Sequence, residues 1–96
     1  MTITLLSPAL GEILEAIDYY DEQAIGLGAK LDADLEATLR LISDHPAAGS
    51  PYERGTRRVL LDRFPFSDIY RELPDRILFV AFAHQRRRPV YWADRV

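Results

Sequence analysis

Ile77-Leu78-Phe79-Val80-Ala81-Phe82-Ala83 is apolar at every position. A strand with one wet face alternates between apolar and polar residues, so an unbroken run of this length predicts a strand inside a sheet with both faces covered. Upstream, Leu73-Pro74-Asp75-Arg76 places proline where a turn wants a fixed φ. Before that turn, residues 64–71 and 57–61 also read as strands. With 76–83 they predict a three-stranded antiparallel meander.

Further towards the N-terminus the period changes from two to about 3.6. Leu27, Leu31, Leu35, Leu39 and Ile42 share one helical face, and His45-Pro46 ends it. Ahead of Gly26-Leu27-Gly28 a second amphipathic pattern carries Leu10, Ile13, Leu14, Ile17 and Ala24 on one side. Glu12, Glu15, Asp18 and Glu22 fall mostly on the other, which predicts an acidic, solvated face. Ser7-Pro8 reads as an N-cap followed by proline at the first helical position. Thr2-Ile3-Thr4-Leu5-Leu6 suits a short strand, and 47–55, with its prolines and glycines, an exposed loop. The very short link between the helices predicts an antiparallel hairpin. The fold class is therefore α+β, in the order β-α-α-β-β-β, with the helical hairpin on one face of a small, mostly antiparallel sheet. Residues 89–96 fit either an edge strand or an arm.

Ninety-six residues are enough for one domain, 1–96, with a single core. The chain has no cysteine, which excludes disulfides and thiolate chemistry and fits a reducing cytoplasm. Its start lacks the pattern of a signal peptide, and the 77–83 run is too short to cross a bilayer. We therefore expect a cytoplasmic protein with no membrane association. The net charge of −3 hides an asymmetry: residues 1–50 hold nine acidic and two basic side chains, and 51–96 hold six acidic and ten basic. That separation predicts two surfaces with different partners. Two histidines far apart, with no cysteine, leave a zinc site without ligands, and no cofactor motif is present. No metal or cofactor is expected.

Several segments, taken in order, carry a resemblance. They are Glu12-Ile13-Leu14 with Tyr19-Tyr20; Arg58-Val59-Leu60-Leu61-Asp62-Arg63-Phe64-Pro65-Phe66; Ile69-Tyr70-Arg71; and His84 with Arg86-Arg87-Arg88-Pro89, Tyr91-Trp92 and Arg95. Over nearly its whole length the chain resembles the RelE/ParE superfamily of bacterial toxins. The resemblance implies the toxin half of a type II toxin–antitoxin pair, of the kind called plasmid stabilization systems, which inhibits growth and is neutralised by a cognate antitoxin in a hetero-oligomer. It implies one of two modes of action. ParE-like members bind DNA gyrase without being nucleases, and RelE-like members cut messenger RNA on the ribosome. The second mode would make the protein a metal-independent endoribonuclease, with His84, Arg86 and Tyr91 as catalytic candidates.

In either mode Arg57, Arg63, Arg86, Arg87, Arg88, Trp92 and Arg95 are the candidates for contact with the target or a nucleic acid. Three adjacent arginines repel one another and gain from an anionic partner. RelE-type ribonucleases usually carry an arginine in the third strand where this chain has Ser67, and lysines on the preceding strand that are missing here. Trp92 stands near the place of their C-terminal tyrosine. The ParE-like mode is therefore the first expectation. The bland alternatives are that His84 caps its strand, that Trp92 closes one end of the core, and that arginines of 57–63 pair with Asp62 or Asp68.

Overall fold

The structure, a computed structural model, describes residues 1–96. Its elements are β1 (Ile3–Leu5), α1 (Ser7–Gln23), α2 (Leu27–Asp44), β2 (Ser50–Pro51), β3 (Arg57–Leu60), β4 (Phe66–Glu72) and β5 (Ile77–His84). They form one sheet in the order β1-β5-β4-β3-β2, with β1 parallel to β5 and all other neighbours antiparallel. The α+β arrangement and the meander are as the sequence predicts. One strand is additional: Ser50 and Pro51, within the expected loop, pair with Arg58 and Arg57. An edge strand tolerates proline because its outward N–H has no partner to lose.

The apolar run forms β5, flanked on both sides by β1 and β4. Its pairing slips by one residue: Ile69 faces Ala81, while Tyr70 faces Phe79. The extra residue, Val80, breaks strict alternation. Phe79 and Phe82, three apart, therefore both pack with Ala9, Ile13, Leu31 and Leu35 under the helices. Val80 and Ala81 join Ile69 and Trp92 in a separate cluster. Phe82 stacks on Phe66 with centroids 4.4 Å apart. Burying each such ring stabilises the fold by about 1.5–3 kcal/mol.

Helix α2 buries Leu31, Leu35, Thr38 and Ile42. Its N-terminus is capped from outside: the Asp21 carboxylate on α1 accepts the Gly28 N–H at 2.8 Å. A Cβ at Gly28 would meet that carboxylate at 2.7 Å, so close packing of the hairpin requires glycine there.

Helix α1 departs from expectation in phase. Ala9, Ile13 and Ala16 are its buried residues, whereas Leu10 and Leu14 are about half exposed and Ala24 lies beyond the last turn. Two alanines let the helix approach the sheet closely, and this rotates Glu12 out of the expected solvated face. The cap differs as well. Leu6 is the N-cap, with Ser7 and Pro8 already helical, because the Leu6 N–H still donates to the Phe79 carbonyl at 3.0 Å and keeps that residue extended.

Asp68 departs further. It is fully buried on β4 and hydrogen-bonded to Thr38 of α2, so it is no partner for an arginine. Burial pushes its carboxyl up to about 7; the Thr38 hydrogen bond opposes that shift and Asp34 adds to it.

Candidate functional site

Beyond β5 the chain forms neither an edge strand nor a free arm. Residues 85–92 turn back across the sheet face opposite the helices, and Ala93–Arg95 makes a single 3-10 turn. Trp92, only 2% exposed, fills the space beside Ile69, Val80 and Ala81, with Tyr52, Val90 and Val96 at its edge. Val90 is held at φ 57°, a conformation that β-branched residues rarely adopt. The turn that delivers Trp92 to the core therefore has a backbone cost of about 1–3 kcal/mol.

One carboxylate fixes this tail. The Glu12 side chain, 14% exposed, accepts from Arg95 Nη1 at 2.8 Å and from Nη2 at 3.2 Å, a two-pronged ion pair. It also accepts from the Tyr91 hydroxyl and from the Phe82 backbone N–H. Arg87 approaches it to 4.0 Å and lies over the Tyr91 ring at 3.8 Å. Burial and the Glu12 bond both raise the Tyr91 hydroxyl above the usual phenol range, so it stays protonated. The bond to Glu12 likewise raises Arg95. Glu12 thus joins α1, β5 and the tail, a role that its place on an amphipathic helix does not announce.

Next to this clasp is a cleft of about 360 Å³ on the open face of the sheet. Arg58, Arg87, Arg88 and His84 supply its basic groups; Tyr52, Leu60, Ser67 and Ile69 form much of the rest, and no carboxylate lines it. Arg58 lies over the Tyr52 ring at 4.4 Å and makes no ion pair, nor does Arg88. Arginines with no opposing charge in a walled recess create a positive potential that attracts anionic groups. A second recess, of about 350 Å³, shares His84 and Arg87 but is otherwise different. Glu12 and Glu15 give it negative charge, and Tyr19, Tyr20, Phe66 and Phe82 make it aromatic.

Of the expected contact residues, Arg87 and Arg88 meet in the basic cleft, and Arg86 lies exposed on the same turn. Arg57 points elsewhere. It donates to the Gly49 carbonyl at 2.9 Å and reaches Glu72 at 3.6 Å, securing the loop before β3. Arg63 stands apart beside Lys30 and Asp34. Trp92 is buried and offers no face for stacking, and Arg95 is committed to Glu12. Among the catalytic candidates, His84 Nδ1 accepts the Arg86 N–H at 3.0 Å, and Tyr91 is bound to Glu12. Arg58 was missed. Strand parity was the available signal: Arg58 and Leu60 share the face opposite Arg57 and Val59, and an exposed Leu60 on a strand marks an open surface.

Comparison with known proteins agrees with this architecture. A profile of the family described as "ParE toxin of type II toxin-antitoxin system, parDE" matches residues 3–89. The fold is similar to a chain in the solved structure titled "Chromosomal ParDE TA system from P. aeruginosa". The TM-score is 0.77 at 22% sequence identity, and the match covers 88% of this chain and 95% of that one. No curated protein sequence matches. No helix is long and apolar enough to cross a membrane. Because the family profile spans most of the sequence, the chain belongs to the ParE family of toxins of type II toxin–antitoxin systems.

Proposed function

We propose that this toxin acts by binding a protein target rather than by cutting RNA, with DNA gyrase the target its superfamily resemblance suggests. The observation that carries the reading is the basic cleft. Arg58 and Arg88 enter it with no ion-pair partner, so their charge is free for an acidic surface. Charges arranged in this way speed encounter and fix register more than they add affinity. Arg86, on the same exposed turn, extends the contact area.

The groups a ribonuclease would need are otherwise engaged, which supports the same reading. General acid–base catalysis wants a group poised near the working pH. The Tyr91 proton is held by Glu12, and the Nδ1 lone pair of His84 accepts a backbone N–H. Ser67 stands in the cleft where RelE-type ribonucleases usually carry arginine, and the buried Trp92 stacks on no base.

The cognate antitoxin neutralises the toxin by laying an amphipathic segment in the aromatic recess beside α1 and placing acidic side chains over Arg87 and the basic turn. Such a partner and target place the protein in the cytoplasm. Primer extension on a defined message, translated in a cell-free bacterial reaction with the purified chain, tests the mode. Intact message is expected, and codon-positioned breaks that require ribosomes would replace this reading with the nuclease one.

A further inference from the structure

Thr38 Oγ1 lies 2.8 Å from the Leu35 carbonyl and also within hydrogen-bonding distance of Asp68 Oδ2. A hydroxyl has one proton to give. A carbonyl and an ionised carboxylate can only accept, so an ionised Asp68 would leave one of these two oxygen–oxygen contacts without a hydrogen. A protonated Asp68 removes the conflict: its Oδ2–H donates to Thr38 Oγ1 and the Thr38 hydroxyl donates to Leu35, so the Thr38 contact does not oppose the raised value as it would if Thr38 donated to a carboxylate. Asp68 Oδ1 adds a second, independent observation. It is buried with no hydrogen-bond partner, which is far costlier for a charged oxygen than for the carbonyl oxygen of a neutral acid.

We propose that Asp68 is built into the fold as a neutral carboxylic acid, a proton-dependent latch between α2 and strand β4. Its surroundings offer no cation to hold the ionised form. The α2 side contributes Thr38 and the carboxylate of Asp34, and the strand itself contributes Tyr70. The register partners on β3 and β5 are Val59 and Phe82. Ionisation puts an uncompensated charge between helix and sheet and weakens the seat of α2.

The sign follows from linkage. The folded-state value of about 7 lies above that of an unfolded aspartate, near 3.9. The latch therefore contributes fully below about pH 4, and its contribution is lost as pH rises towards 7. Asp68→Asn supplies a neutral donor at every pH. Thermal melts of the full chain from pH 5 to 8 should show the melting temperature of Asp68→Asn gaining on wild type by roughly 5 °C or more. A difference that stays constant across that range would overturn the proposal. Should the variant fail to fold, the unaltered chain decides by carbon-13 titration of the Asp68 carboxyl. A midpoint near neutrality is expected, and one in the ordinary carboxylate range would refute the latch.

Discussion

The two faces of this sheet are closed in opposite ways. Under the helices, Phe66, Phe79 and Phe82 pack against Ala9, Ile13, Leu31 and Leu35, and the polar groups there are the neutral-environment pair Thr38 and Asp68. On the other face a single tryptophan plugs a small apolar cluster, and the segment that carries it is tied down by one ionised residue, Glu12. Apolar packing is spread over many contacts, each ring carrying its own share. A charged clasp concentrates its effect in one carboxylate and leaves the neighbouring arginines free to face outward. Both sides contribute to stability, and the tail side combines fastening with the surface proposed above for target binding.

The contrast can be broken most severely in the core. Phe82→Ala removes a ring stacked on Phe66 and should lower stability by about 3–5 kcal/mol in urea unfolding. Next comes the clasp. Glu12→Ala leaves Arg95 with only the Val80 carbonyl, and the Tyr91 hydroxyl and the Phe82 N–H without their side-chain acceptor, and should cost about 2–4 kcal/mol. Limited proteolysis should then cut first in 89–96, with the helices still intact. Its control on the same helix, the exposed Glu15→Ala, should stay within about 0.5 kcal/mol. If Glu12→Ala proved as mild as Glu15→Ala, the tail would be held by Trp92 alone.

A smaller effect is expected at the loop before β3. Tyr70 donates to the Pro46 carbonyl at 2.6 Å and accepts the Gly49 N–H at 2.9 Å. A Cβ at Gly49 would lie 2.7 Å from that hydroxyl, so Gly49→Ala should cost about 1–3 kcal/mol by displacing it, again by urea unfolding. Smallest of all is the cleft: Arg58→Ala and Arg88→Ala should each alter stability by less than about 0.5 kcal/mol while weakening target binding.

How much of this is written in the sequence follows the same division. The helix side depends on period and run length, so the Ile77–Ala83 stretch, the α2 stripe and the meander are legible locally. The phase of α1 is less so, because Leu10 and Leu14 obey the helical period as well as Ile13 does, and only the fit of Ala9 and Ala16 against the sheet decides which side is buried. The Val80 bulge is invisible in a run where every residue is apolar. The tail side depends on partners far apart in the chain. Glu12 meets Tyr91 and Arg95 across some eighty residues, and on a helix it looks like any solvated acid. Arg57 and Arg58 differ only in strand parity, which periodicity over four residues barely fixes, yet one secures a loop and the other enters the cleft.

Engagement of a protein target by the basic cleft carries the proposed function. It is tested most directly by titrating the purified chain into a DNA gyrase supercoiling reaction beside the Arg58→Ala/Arg88→Ala double variant, with both melting curves recorded. The wild-type chain should inhibit, and the double variant, equally stable, should lose at least tenfold in potency. Equal inhibition by both would contradict the cleft as the binding surface, and no inhibition by a folded wild-type chain would contradict gyrase as the target.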